Sequence, residues 1–250
     1  MRYRMTFRVP VPRTRIPLSY NGALSAHLAE WLGVIPPLPD SHDPASMPFD
    51  HFVFSRLVIK SKIVDMKSLT IKILSPTVVL YLGIPEAGGD NPRSPSALLG
   101  REVLLGTEGQ NLLIERVESL PPPIWSRRMN FRMLSPTAVP GPDGTWLRAD
   151  DARLSETIRL LLLNRYRSHF NHSPSVDEEL TAVVDPTYLS QRGGGAGVVK
   201  RVRLNTSGGE PRDVHGFVCP ITLRGNPRLI ALAYDSGLGT LGMLGFGMMG

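Results

Sequence analysis

Residues 1–9 alternate strictly. Tyr3, Met5, Phe7 and Val9 form an apolar row, and Arg2, Arg4, Thr6 and Arg8 a polar and mostly cationic one. A period of two predicts a half-buried strand. No acid appears through Arg15, so the arginine row also makes a surface suited to phosphate. Over 20–32 the period lengthens: Leu24, Leu28, Trp31 and Leu32 recur at helical spacing and Gly33 supplies a stop. A proline-rich stretch, 36–48, predicts a loop. Strands are expected over 51–59, 69–74 and 78–84, a short helix over 94–105 and a strand over 110–117. The order is β, α, β, β, α, β, a ferredoxin-like arrangement.

Leu120-Pro-Pro-Pro123 interrupts helix and ladder alike, so the chain is expected to divide into domains 1–119 and 120–250. The second half repeats the pattern. A strand is predicted over 130–139, and a helix with one apolar face over 153–170. Two strands over 197–204 and 215–223 are joined by a turn at 205–213. A helix starts at Leu229 and a last strand passes through Leu244. The expected fold class is α+β, with tandem ferredoxin-like (RNA-recognition-motif-like) βαββαβ domains. The single Cys219 excludes an intrachain disulfide and a Cys-cluster metal site and suits a small buried hydrophobe. Lys and Arg outnumber Asp and Glu 28 to 22, a net charge of +6 that suits a polyanionic partner. No apolar run reaches the length of a membrane span, and the alternating N-terminus lacks a signal peptide's apolar core, so a cytoplasmic protein is expected.

The last fourteen residues, GLGTLGMLGFGMMG, carry the most specific signal. Glycine stands at 237, 239, 242, 245, 247 and 250, with Leu, Met and Phe between. A flexible linker of this density carries Ser instead. Such glycines permit close backbone approach or positive φ in tight turns. A loop of this kind either packs as a turn or cradles phosphate with its N–H groups. Gly-Leu-Gly, five residues, then Gly-Phe-Gly-Met resembles the glycine-rich signature of the repeat-associated RNA-binding proteins of CRISPR systems. The likeness is strongest to their repeat-processing endoribonuclease family, CRISPR-associated protein 6. The resemblance extends to Ile221-Thr-Leu-Arg-Gly225, to Phe131-Arg-Met-Leu-Ser-Pro-Thr-Ala-Val139, to Tyr20-Asn21, and to Pro48-Phe49 followed by Phe52-Val-Phe-Ser-Arg-Leu57. It implies the same tandem fold, cleavage of CRISPR precursor transcripts within repeats, and a final strand running a few residues further.

RNA carries its own nucleophile, the 2′-hydroxyl beside the phosphate. Cleavage therefore needs a base for that proton and an acid for the leaving 5′-oxygen, and histidine suits both near neutral pH. No HExxH, Cys/His or paired-carboxylate set suggests a metal or other cofactor. The resemblance places the family's general acid/base at His42, ahead of Pro48-Phe49. His27 is the alternative, although it shares the apolar helix face. His51 and His215 read as strand residues. His169 and His172 fall at a helix end, where a cation complements the dipole. The family's supporting tyrosine matches a position near Trp31, and no lysine lies between His42 and Lys60; Tyr20 or Arg56 is left to support the site. RNA-binding candidates are Gly237, Gly239, Gly242, Gly245 and Gly247, then Arg127, Arg128 and Arg132, and the strand cluster Lys200, Arg201 and Arg203. Trp125 offers a stacking platform or a core contact. The expected partners are CRISPR repeat RNA, other subunits of a CRISPR effector complex and a second copy of the chain. A non-catalytic RNA-binding subunit of such a complex is the competing expectation.

Overall fold

A computed structural model describes residues 1–34, 51–85, 94–105, 111–170, 179–204 and 211–250. The fold is a mixed α/β one built on antiparallel sheets. In the first half the strands are β1 (Arg2–Arg8), β2 (Arg15–Pro17), β3 (Val53–Phe54), β4 (Val58–Ile59), β5 (Lys62–Asp65), β6 (Thr70–Ile73), β7 (Thr77–Gly83), β8 (Glu102–Leu104) and β9 (Asn111–Leu120). Helix α1 (Asn21–Leu32) follows β2, and a 3-10 turn covers Pro95–Leu98. The main sheet runs β3-β7-β1-β9-β8, with β4 also on β7; a smaller sheet runs β2-β6-β5.

The alternation of residues 1–9 becomes central strand β1, paired with β7 on one side and β9 on the other. Its apolar row faces inward, with Met5 and Phe7 fully buried against Leu24 and Leu28 of α1 and the inward row of β7. Gly33 ends α1 at φ 72°, a left-handed position that a residue with a Cβ reaches only at a cost of about 1–2 kcal/mol. Three expectations shift here. The strand over 51–59 is two two-residue pieces, β3 and β4. The helix over 94–105 is a single 3-10 turn followed by β8, because Pro95 starts it and too few apolar positions follow at helical spacing. Strands β2 and β5 are additional.

The second half contains β10 (Arg128–Phe131), α2 (Leu154–Phe170), β11 (Leu180–Val184), α3 (Pro186–Gln191), a 3-10 turn Gly195–Val198, β12 (Val199–Leu204), β13 (Arg212–Phe217), β14 (Ile221–Gly225), α4 (Pro227–Ser236) and a last 3-10 turn, Gly242–Leu244. The sheet order is β10-β14-β11, and isolated pairing of Met133 with Met249 adds the chain end beside β10. Asn226 caps α4 by accepting the Arg228 amide, and Pro227 occupies the first turn, where its missing N–H costs nothing.

The predicted strands over 197–204 and 215–223 divide differently. Residues 199–204 pair with 212–217 as a separate hairpin, β12–β13, and the sheet instead takes 180–184 and 221–225. Short β11 alternates only weakly, and the basic run 200–203 imitates a half-buried strand better. The expected strand through Leu244 is a tight turn, and extended pairing comes later, at 248–250. Part of the predicted turn at 205–213 lies outside the described residues.

Two large apolar clusters fill the fold. One gathers residues 5–114 with Met243 added, the other residues 131–249. A third joins Ala138, Leu204 and Val214 to Leu241, Leu244 and Phe246 of the glycine-rich end. No helix among the described residues is long and apolar enough to cross a membrane. Cys219 is a free, buried thiol that burial pushes up to about 12, so it stays protonated and inert at neutral pH.

Candidate nucleic-acid interface

The glycine-rich end is the joint between the halves. Residues 236–249 are all buried. Gly237, Gly239, Gly245 and Gly247 have φ between 77° and 87°. A Cβ on Gly247 would lie 2.0 Å from the Leu238 carbonyl oxygen, and one on Gly239 2.2 Å from that of Ala138. A Cβ on Gly245 would meet the Phe54 ring at 2.5 Å and the Asn21 amide nitrogen at 2.7 Å, both from the first half. Gly242 opens the last 3-10 turn.

The glycine-rich end lies against the segment 131–139. The Arg132 amide donates to Gly250 O at 2.9 Å, Leu134 N to Met248 O at 2.7 Å and Gly247 N to Pro136 O at 2.7 Å. Met248 N donates to Ser135 Oγ at 2.9 Å. The amides of Gly237, Leu238, Thr240, Leu244 and Gly245 likewise donate to backbone carbonyls. The N–H groups at these positions are engaged by the protein itself, and the glycines serve close packing.

Three side chains hold the joint, a role that the sequence does not suggest for any of them. Asn21, at the start of α1, donates to Leu244 O at 2.9 Å. Arg165 of α2 donates to Gly237 O and Gly239 O, each at 2.7 Å. Arg2 is the exception on the cationic row of β1. It is buried, donates to Met249 O at 2.6 Å and to Tyr234 O, and lies over the Tyr234 ring at 3.7 Å. Burial pushes its guanidinium down to about 10, so it remains a cation at neutral pH. Arginine satisfies carbonyls that a loop of positive-φ turns leaves outside any ladder.

The candidate catalytic residues separate. His42 lies outside the described residues, in 35–50; His172 and Pro48-Phe49 do also. The flanks of 35–50 are described: Val34 follows α1, and His51 precedes β3, which packs on the glycine-rich joint. His27 stacks on Trp31 with centroids 5.3 Å apart, and its Nε2 is 3.2 Å from Leu104 O. Tyr20 is buried, and its hydroxyl oxygen accepts the Leu57 amide at 3.0 Å. Burial pushes its phenol above the ordinary range, so it is a neutral hydroxyl. Arg56 is exposed.

His169 is not the cation expected at the end of α2. Its side chain is buried, and desolvation, with Arg165 and His51 nearby, pushes it from 6.5 down to about 4. The sign is then fixed. Between pH 6.5 and 4 the unfolded chain binds this proton and the folded one does not, so stability falls as pH falls through that window. The loss is at most about 3–4 kcal/mol, from roughly 1.4 kcal/mol per pH unit. His169→Gln should flatten the dependence of thermal midpoint on pH between 6.5 and 4; an unchanged slope would show that other groups set it.

The basic candidates lie at the surface. Arg128 and Arg224 face each other across β10 and β14, both exposed, with Arg132 further along. Like charges directly opposite are unfavourable, and among the described residues no ion pair offsets them. Arg127 reaches Glu179 at 3.5 Å, an exposed pair of little energetic weight. Lys200, Arg201 and Arg203 lie on β12, away from that sheet, with Arg201 3.6 Å from Asp213. Trp125 packs edge-on against Tyr234 at 5.3 Å, a packing contact. Among the described residues no cluster of three or more His, Cys, Asp or Glu has metal-binding geometry.

A family model, CRISPR associated protein Cas6, C-terminal, matches residues 120–250. No curated protein matches the chain in sequence. Among solved structures, the product of a Cas6-related gene from Pyrococcus furiosus is similar at a TM-score of 0.73 and 20% identity, covering 100% of this chain and 97% of that one. A RAMP protein binding different RNA substrates gives 0.73 at 19% identity, covering 100% and 98%. A structure of CRISPR associated protein Cas6 gives 0.69 at 18%, also covering 100% and 98%. These identities speak for a shared fold. The family match spans more than half of the sequence, and the chain belongs to the Cas6 family.

Proposed function

We propose that this protein is a metal-independent endoribonuclease that cleaves CRISPR precursor transcripts within their repeats to release guide RNAs. The family match over 120–250 carries the reading, supported by the uncompensated arginines of the second sheet. In both halves the strand order supports tandem ferredoxin-like domains divided near residue 120. It reads second-third-first-fourth in chain order: β3-β7-β1-β9, then β11-β14-β10 with the chain end. RNA-binding and product-complex structures among the similar folds support an RNA substrate.

In this reading His42 is the general acid/base. In sequence it falls between α1 and β3, and β3 packs on the joint. His27 and Tyr20 are each held by protein partners, as α1 packs, and are assigned to the fold. As the 2′-oxygen attacks the adjacent phosphorus it gives up its proton to His42, the P–O5′ bond breaks, and a proton passes from His42 to the leaving 5′-oxygen, so the products are a 2′,3′-cyclic phosphate and a 5′-hydroxyl. Arg128, Arg132 and Arg224 supply phosphate contacts, with Arg127, Lys200, Arg201 and Arg203 adding long-range attraction. The glycine-rich end holds the two halves in register for RNA and meets it only at its rim, where Gly250 is exposed. Partners consistent with this are repeat RNA, effector-complex subunits and a second copy of the chain.

A repeat RNA carrying one 2′-deoxy nucleotide at the mapped cleavage position should bind with unchanged affinity and stay intact. Cutting of that RNA at the same bond would refute the mechanism. Tight binding of the all-ribose repeat with no cutting would favour the non-catalytic subunit, a reading that the engagement of His27 and Tyr20 elsewhere keeps open.

A further inference from the structure

We infer that the lobe formed by β2, β6 and β5, with the extended segment leading into it from β3, is a second RNA-binding surface that takes the phosphates of single-stranded RNA flanking the cleaved repeat. The inference rests on the RNA-processing reading above and extends its footprint.

Three observations carry it. Residues 55–75 contain five cations, Arg56, Lys60, Lys62, Lys67 and Lys72, against one acid, Asp65. Asp65 is already occupied: it accepts the amides of Lys67 and Ser68 and the Ser68 hydroxyl, and lies near Arg15. Among the described residues no ion pair holds any of the five cations.

The second observation is direction. From Ser55 to Lys60 burial alternates, with Ser55, Leu57 and Ile59 inward and Arg56, Val58 and Lys60 outward. This segment follows β3 and ends at β5. Two outward cations, Arg56 and Lys60, thus lie on the path from β3 to the lobe.

The third is openness. Every residue of β5 is exposed, and its outer edge is unpaired among the described strands. Lys72 lies opposite Arg15 on one neighbour and Ile63 on the other, which adds a cation to the middle of this sheet. Ile63 and Met66 are also exposed, at 53% and 69%, and would suit a protein surface. The excess of cations without ion pairs decides for RNA.

The test uses the full chain with Lys60→Glu, Lys62→Glu and Lys72→Glu combined, and a Gln series at the same positions as a milder control. Two RNAs are compared, the repeat alone and the repeat with single-stranded extensions at both ends. The charge reversal should weaken binding of the extended RNA by about tenfold or more and reduce its salt slope by about 2, three single-strand contacts at roughly 0.7 each. Affinity for the repeat alone, single-turnover cleavage of it and the thermal midpoint should stay within about twofold or a degree or two. Equal affinity of wild type and variant for the extended RNA would overturn the inference, and more decisively so if the variant instead lost binding to an acidic polypeptide. Failure of the wild-type protein to bind the repeat at all would fault the underlying functional reading, a separate outcome.

Discussion

His42→Ala should cleave repeat RNA about 10²–10⁴-fold more slowly in single turnover, the usual contribution of one positioned acid or base, or roughly 3–5 kcal/mol of barrier. RNA affinity should change by less than about threefold, because a residue that acts on the transferring proton contributes mainly in the transition state. The effect is expected to be concentrated at this one residue. His27 is held between Trp31 and the Leu104 carbonyl, and Tyr20 is buried under the Leu57 amide. Neither is placed to take over. His27→Gln should therefore leave the cleavage rate within a few-fold and cost some stability. Wild-type-like cleavage by His42→Ala, together with a large loss in His27→Gln, would reverse the assignment.

Gly247→Ala should lower the thermal midpoint by about 5–15 °C. A non-glycine residue at φ 77° pays about 1–2 kcal/mol. The new methyl also meets the Leu238 carbonyl oxygen at 2.0 Å, a backbone atom that cannot rotate aside. Overpacking of that kind adds about 1–3 kcal/mol, and each kcal/mol shifts the midpoint of a chain this size by roughly 2–4 °C. Gly245→Ala should do less, since Phe54 and Asn21 are side chains and can move. In both variants the protein that remains folded should bind repeat RNA within about threefold of wild type. A folded Gly245→Ala protein of normal midpoint that no longer binds RNA would show that the glycine-rich end touches RNA through its own backbone.

The elements that the sequence shows plainly are those with one decisive period. Residues 1–9, which contain β1, alternate throughout, and α1 and α2 each carry an apolar stripe between clear ends. The terminal glycines were conspicuous, but their purpose was not, because glycine spacing is the same whether the facing surface is phosphate or another backbone. Only the positions of Ala138, Leu238 and Phe54 distinguish the two. Arg2 looked like its neighbours Arg4 and Arg8; that the second half covers it depends on a contact 247 residues away in the chain. Arg165 sat unremarked in a helix of mixed charge for the same reason. In the second sheet the sequence pattern misleads: the basic run 199–204 alternates more cleanly than 180–184, although the latter pairs in the sheet. The sequence shows His169 at a helix end, where a cation is expected, and does not show its burial.

The most direct measurement is incubation of the purified chain with its own repeat RNA in excess EDTA, followed by analysis of the RNA ends. The account predicts a single cut within the repeat at an undiminished rate, leaving a 2′,3′-cyclic phosphate (or its opened form) on one fragment and a 5′-hydroxyl on the other. Activity abolished by EDTA and restored by a divalent ion, or fragments bearing a 5′-phosphate, would contradict it.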